Sequence, residues 1–142
     1  MGTIVFFKVD RKFRLSKRKL ITNWLENSVN SEGWKLGSVN IILSSDEYLL
    51  TLNQQFLKHD TYTDIITFPG EREGYVEGEI YISLDRVEDN AGKFSVAMGE
   101  ELNRVLIHGF LHLMGYKDKR KEEKELMRKK EDHYLGVFNC ST

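Results

Sequence analysis

Residues 108–118 read His108-Gly109-Phe110-Leu111-His112-Leu113-Met114-Gly115-Tyr116-Lys117-Asp118. The two histidines of this segment are four positions apart in an apolar pattern of helical period. Both imidazoles therefore project from one face of the helix, one turn apart. The spacing predicts a two-point clamp for a metal ion. The helix that carries it is the longest apolar helical pattern in the chain, and we expect the fold to be built around it.

A third ligand is predicted just beyond this helix. Gly115 can take the left-handed conformation that ends a helix, and the chain from there to Asp118 spans at most about 10 Å. Three protein ligands leave one coordination position for water or substrate, the arrangement of catalytic zinc. The alternatives are that the histidines are a surface or core pair, and that Asp118 caps the next helix.

Length and composition indicate a small protein without a membrane segment. The 142 residues predict a single domain over 1–142. The sequence has no apolar run near the roughly 18 residues of a membrane span and no signal-peptide layout. Cys140 is the one cysteine, so no intrachain disulfide can form. We expect a cytoplasmic protein.

Charge is segregated along the chain. Residues 8–19 hold seven Lys/Arg and one Asp, residues 20–116 hold six basic and fifteen acidic residues, and residues 117–142 hold eight basic and six acidic. Basic ends around an acidic middle predict a surface facing a polyanion beside a carboxylate-rich pocket. The alternative is that these runs are only solvated faces.

The hydrophobic pattern predicts four strands and five helices. The predicted strands cover 3–9, 39–43, 64–68 and 79–83, with a loop or hairpin tip at 70–77. The predicted helices cover 17–30 behind a Ser16 cap, from a Ser44/Glu47 capping box to about 57, 84–93, 96–113, and 119–135 ended by Gly136. This order predicts an α/β (α+β) fold, a small mixed sheet with helices packed on it.

Segments outside the central helix carry a family resemblance. They are, in order, Leu52-Asn53-Gln54-Gln55-Phe56, Asp60, Thr63-Asp64-Ile65-Ile66-Thr67-Phe68 and Gly78-Glu79-Ile80. Together with His108 to Tyr116 they resemble the YbeY family of bacterial rRNA maturation factors. The helical motif of that family is similar to H-G-x-L-H-L-x-G-Y-D-H, of which this chain has His108, Gly109, Leu111, His112, Leu113, Gly115 and Tyr116.

The resemblance implies a zinc-dependent, single-strand-specific endoribonuclease that acts in ribosomal RNA maturation, including the 16S 3′ end, and in ribosome quality control. It implies single-stranded RNA, ribosomal RNA and the small ribosomal subunit as partners. It also implies a mixed sheet surrounded by helices, with the metal at its edge.

Two positions depart from the family pattern. The third ligand is usually a histidine, and here it is Asp118; a family arginine is replaced by Leu57, with Lys58 and His59 next. Two imidazoles and a carboxylate leave a divalent ion with net charge +1, so bound water is acidified less than at a three-histidine site. Oxygen ligation also widens the metal set from Zn²⁺ to Mn²⁺ or Fe²⁺.

The predicted catalytic residues are Lys58, His59, Asp64 and Glu79, beside the metal ligands His108, His112 and Asp118. The first two would orient phosphate or shuttle a proton, and the two acids would act as general base or support the ligands. The alternatives are that Asp64 is a turn residue before a strand and that Glu79 is a solvent-facing strand position.

Three other functions compete with a nuclease. A zincin peptidase has its catalytic glutamate after the first histidine, where this chain has Gly109, so that class is disfavoured. A non-catalytic RNA-binding ribosome-assembly factor would use the metal only to fix its fold. An iron enzyme with two histidines and one carboxylate would use the same ligand set.

Overall fold

The computed structural model of the protein describes residues 2–57 and 63–140. The elements, in chain order, are β1 (Thr3–Lys8), α1 (Arg18–Ser31), β2 (Lys35–Ser44), α2 (Asp46–Leu52), a π-helical segment (Asn53–Leu57), β3 (Ile65–Pro69), β4 (Tyr75–Ser83), α3 (Leu84–Phe94), α4 (Met98–Leu113) and α5 (Lys121–Cys140). No helix among these described residues is both long enough and apolar enough to span a bilayer.

The four strands form a mixed sheet in the order β1-β2-β4-β3. Strand β2 pairs in parallel with β1 and with β4, whereas β3 runs antiparallel to β4. Helices pack on the sheet, which confirms the predicted fold class.

Two strands are longer than the sequence pattern predicts. Strand β2 begins at Lys35 and β4 begins at Tyr75, and these two residues are partners in the β2-β4 ladder. The predicted loop at 70–77 is therefore wrong in its second half. The turn-forming glycines around Tyr75 predict a loop, but pairing with β2 supplies the hydrogen bonds that make the segment a strand.

Helix α4 is the buried centre of the fold. Leu102, Leu106 and Phe110 are at most 1% exposed, as an apolar helix in the core requires. Gly109 lets this helix approach the sheet closely, because a Cβ there would lie 2.8 Å from Ile65 Cδ1. The close approach fixes the position of the two histidines relative to β3 and β4.

Three predicted helix ends are wrong in detail. The residue before α1 is Lys17, in a left-handed conformation, and no side chain caps the helix. The cap of α2 is Ser45, whose hydroxyl accepts from Tyr48 N–H, so the capping box is displaced from Ser44. Helix α5 passes through Gly136 to Cys140.

Helix α5 continues past its glycine because its last turn is packed. Phe138 is 6% exposed, and its ring contacts the Trp24 ring of α1 at 4.9 Å between centroids. The Trp24 indole N–H also donates to the Tyr134 carbonyl at 2.8 Å. This burial outweighs the roughly 1 kcal/mol that a glycine costs inside a helix.

Candidate metal centre

The two histidines of α4 meet at their Nε2 atoms. His108 Nε2 and His112 Nε2 lie 2.9 Å apart, and the two side chains are 20% and 23% exposed. They are therefore partly buried and open to solvent on one side. This geometry follows from their i, i+4 spacing on one helix face.

Asp118 completes a triangle with the histidines. Its Oδ2 lies 3.2 Å from His108 Nε2 and 3.3 Å from His112 Nε2. The chain can turn back because Gly115, just past α4, has a φ of 93°, as predicted. Helix α5 begins only at Lys121, so Asp118 does not cap it.

The triangle has the size of a metal ligand set. Ligand atoms about 2.0–2.2 Å from a tetrahedral ion lie roughly 3.3–3.6 Å from one another. The three distances here, 2.9, 3.2 and 3.3 Å, are close to that range. These three side chains form a group able to hold a metal ion, and the fourth position is left for water or substrate.

The other ring nitrogen of each histidine has an acceptor partner. His108 Nδ1 lies 2.6 Å from Glu131 Oε2, and His112 Nδ1 lies 2.9 Å from the Tyr116 carbonyl oxygen. Both partners only accept, so each favours the form of its histidine that carries the proton on Nδ1. In that form each Nε2 presents its lone pair. Two lone pairs and the Asp118 carboxylate then converge on one point, which is an environment that a cation fits.

Glu131 is held by a second partner. Its side chain is 7% exposed, and its Oε1 accepts from Arg104 Nη1 at 2.8 Å. Burial alone lowers the pKa of His108, but the hydrogen bond and charge of Glu131, together with Asp118, outweigh it and raise that pKa. The local field therefore favours positive charge at His108, whether a proton or a metal ion supplies it.

Asp64 lies beside this group, directly before β3. Its backbone carbonyl accepts from Ser83 N–H at 2.9 Å, which fixes this end of the strand. Burial raises the pKa of the Asp64 carboxyl, opposed by the charge of His108 and reinforced by Asp118 and Glu131. The structure thus brings Asp64 within electrostatic reach of the ligands, where a general base is useful.

Glu79 is on the other face of the sheet. Its neighbour Ile80 faces Gly109 of α4, and side chains alternate along a strand. Glu79 is exposed and accepts a hydrogen bond of 3.2 Å from the Tyr81 hydroxyl. The structure does not bring it to the histidines, and its predicted catalytic role has no geometric support.

Lys58 and His59 lie outside the described residues. Their predicted roles therefore stay predictions. The described chain leads toward them through the π-helical segment Asn53–Leu57 and resumes at residue 63, next to Asp64.

Sequence reasoning missed Glu131. A signal was present, because the buried stripe of α5 consists of Met127, Glu131, Tyr134 and Phe138. A carboxylate on the apolar stripe of a helix is seldom there without a partner. What the pattern does not reveal is that this partner is His108.

A cleft of about 720 Å³ opens beside the metal centre. His108 and Asp118 line one side. The charged side chains of α5 that line it carry both signs: Lys124, Arg128 and Lys129, and Glu125, Glu131 and Asp132. A ligand in this cleft therefore meets the candidate metal position together with basic and acidic side chains.

Comparisons with known proteins show which family the chain belongs to. The family model for Endoribonuclease YbeY matches residues 7–139. A Cytophaga hutchinsonii protein named Endoribonuclease YbeY is 51% identical over 95% of both chains, and one of that name from Christiangramia forsetii is 44% identical over 97% of this chain and 96% of its own. The solution structure of a Thermotoga maritima protein matches with a TM-score of 0.63 and 34% identity, over 98% of this chain and 93% of that one. The chain belongs to the YbeY endoribonuclease family.

Proposed function

We propose that this protein is a zinc-dependent endoribonuclease that cuts single-stranded ribosomal RNA in the cytoplasm. Its substrate would be the RNA of the small ribosomal subunit during maturation, including the 16S 3′ end, and its wider role ribosome quality control. The observation that carries the proposal is the convergence of His108 Nε2, His112 Nε2 and Asp118 Oδ2 within 3.3 Å of one another. The names of the relatives support the reaction class.

The donor set supports zinc. Zinc accepts two imidazoles and a carboxylate with one open position, and the carboxylate keeps Mn²⁺ or Fe²⁺ as alternative ions. When bound, such an ion polarises a phosphoryl oxygen and acidifies water. His108, His112 and Asp118 would hold it, and the Nδ1 contacts of the histidines keep their lone pairs directed at it.

Other side chains would handle protons and phosphate. Asp64 accepts the proton of the attacking group, because it is a carboxyl beside the ligands with a raised pKa. Lys124 and Lys129 offset the charge of the RNA backbone in the cleft. Lys58 and His59, which precede Asp64 in the sequence, would orient the scissile phosphate or shuttle a proton.

A cleavage assay on metal-stripped protein tests this proposal. The protein is treated with a chelator, which is then removed by gel filtration. It is mixed with an RNA oligonucleotide that is either single-stranded or annealed to its complement. We expect zinc to restore cleavage of the single strand and not of the duplex. We expect His112→Ala to abolish cleavage at every zinc concentration.

The same samples separate the competing functions. RNA binding that is unchanged in His112→Ala, without cleavage under any metal, would identify a non-catalytic ribosome-assembly factor and overturn the proposal. Oxygen consumption on addition of ferrous iron would identify an iron enzyme. Cleavage that survives His112→Ala would show that the histidine pair is not the site.

A further inference from the structure

The carboxylate of Glu131 reaches the metal centre from a different helix. Glu131 lies on α5 and bonds His108 of α4 at 2.6 Å, 23 residues away in the chain. We propose that Glu131, held by Arg104, is the positioning residue that selects the metal-binding tautomer of His108. The inference rests on the metal-binding part of the proposed function.

The chemistry of the two partners sets the tautomer. An ionised carboxylate has no proton to donate, so it bonds only the Nδ1–H form of a neutral imidazole. Asp118 Oδ2 lies 3.2 Å from Nε2 on the other side of the ring, and the shorter 2.6 Å contact with Glu131 favours the proton on Nδ1. That form leaves the lone pair on Nε2. The opposite tautomer would place a proton at the point where the ion binds. Carboxylates that orient ligand histidines in this way raise metal affinity about 10–100-fold.

Arg104 holds Glu131 in the required orientation. Its Nη1 donates to Glu131 Oε1 at 2.8 Å and its Nη2 donates to Asp132 Oδ1 at 2.7 Å. A guanidinium only donates, so whichever side-chain atom faces it must be an acceptor. With Oε1 bound to Arg104, Oε2 is directed at His108. The Arg104 guanidinium therefore fixes the orientation of the Glu131 carboxylate from the side opposite His108.

This arrangement makes Glu131→Gln informative. The amide oxygen of glutamine would face the guanidinium, since the amide nitrogen cannot accept from it. The amide NH₂ would then face His108 Nδ1 and favour the Nε2–H tautomer. A nearly isosteric change is thus expected to reverse the tautomer of a ligand histidine.

The neighbouring residue supplies a matched control. Asp132 shares Arg104 with Glu131 and carries the same charge, but its side chain is 58% exposed against 7% for Glu131. Asp132→Asn removes the same charge from the same guanidinium. It leaves the contact between Glu131 and His108 in place.

Two measurements on the full chain test the proposal. The first is the tautomer of His108 in the metal-free protein, read from two-bond ¹H–¹⁵N correlations at about pH 9, where neutral imidazole is favoured. The second is zinc affinity by competition with a chromophoric chelator. We expect wild type and Asp132→Asn to show the Nδ1–H form and equal affinity. We expect Glu131→Gln to show the Nε2–H form and zinc affinity about 10–100-fold lower.

A double variant separates orientation from simple support of the fold. In Arg104→Met with Glu131→Gln the amide is free to turn its oxygen to His108, so the Nδ1–H form and part of the zinc affinity should return. No recovery in the double variant, or an unchanged tautomer and zinc affinity in Glu131→Gln, would overturn the inference.

If Glu131→Gln does not fold, Glu131→Asp replaces it. The shorter side chain of aspartate moves the carboxylate away from His108, and unchanged zinc affinity in Glu131→Asp would also overturn the inference. Wild type that binds no zinc would overturn the proposed function itself.

Discussion

The phenolic hydroxyl of Tyr116 donates a hydrogen bond of 2.6 Å to Glu32 Oε1, joining the loop after α4 to the end of α1. The carbonyl of the same tyrosine accepts from His112 Nδ1 at 2.9 Å. Glu32 also accepts from Tyr134 and, at 3.0 Å, from Lys130 of α5. The Glu32 carboxylate thus joins α1, the loop after α4 and α5 next to His112.

Glu32 should make stability depend on pH. Burial alone raises the pKa of its carboxyl, but hydrogen bonds from Tyr116, Tyr134 and Lys130 outweigh burial and hold that pKa below its usual value. The contribution of Glu32 to the free energy of unfolding is therefore complete above the carboxyl pKa of the unfolded state, about 4.3. It is lost as the pH falls through the lower pKa of the folded state. We expect Glu32→Gln to cost about 1.5–3 kcal/mol of the free energy of unfolding near neutral pH.

Urea unfolding of the metal-free protein, near neutral pH and in acid, measures this effect. The difference in the free energy of unfolding between wild type and Glu32→Gln should be smaller in acid, because Glu32 of the wild type is then protonated and uncharged like the glutamine. Glu26→Gln, at an exposed position of α1, is the control and should change little. An equal loss at both pH values would contradict an ionised Glu32 in the fold.

Two glycines of α4 should respond oppositely to alanine. A Cβ at Gly109 would lie 2.8 Å from Ile65 Cδ1 and 3.2 Å from Ile80, whereas nothing lies within 4 Å of one at Gly99. We expect Gly99→Ala to stabilise by about 0.5–1 kcal/mol. We expect Gly109→Ala to destabilise the protein. The overpacking of its Cβ against Ile65 and Ile80 costs about 1–3 kcal/mol, which exceeds the gain in helix propensity from alanine. Thermal unfolding checks both, and restored stability in Gly109→Ala with Ile65→Val would confirm the contact.

The third ligand should set how strongly the centre acidifies water. Asp118→His raises the net charge of a loaded site from +1 to +2, so the rise of kcat with pH should move to lower pH. Asp118→Asn removes the anionic ligand and should weaken zinc binding by an order of magnitude or more. A pH profile that is the same in Asp118→His and wild type would show that Asp118 does not contact the ion.

Asp64 should act on turnover and not on metal binding. We expect Asp64→Asn to lower kcat by about 10²-fold or more and to leave zinc affinity nearly unchanged. A base must be ionised to act, and burial raises the pKa of the Asp64 carboxyl. We therefore expect wild-type kcat to fall, as the pH is lowered, at a higher pH than an ordinary carboxyl would cause. Glu79→Gln, on the opposite sheet face, should change kcat little. Equal effects of both substitutions would contradict the role of Asp64.

Local spacing was enough to predict that His108, His112 and Asp118 lie close together. His108 and His112 are one turn apart on one helix, and Asp118 follows a glycine with positive φ, so the whole triangle comes from one short segment. The alternation and helical periods likewise predicted a mixed sheet with helices on it. These features depend on the chain near each residue.

Contacts between distant segments were not predictable. The first half of β4 is a strand because Tyr75 pairs with Lys35 of β2. Helix α5 continues past Gly136 because Phe138 packs on Trp24. Glu131 belongs to the same class, since its role depends on how α5 docks against α4. Single-sequence patterns carry no information on which helices meet.

The placement of Glu131 on α5 has a consequence for biosynthesis. The ribosome makes His108, His112 and Asp118 before it makes Glu131, whose carboxylate contacts His108 Nδ1. In a nascent chain His108 therefore lacks this partner until α5 has left the exit tunnel and docked. Because synthesis runs from the N-terminus, the proposed zinc site would be completed, and the proposed cleavage of RNA would begin, only after α5 has emerged.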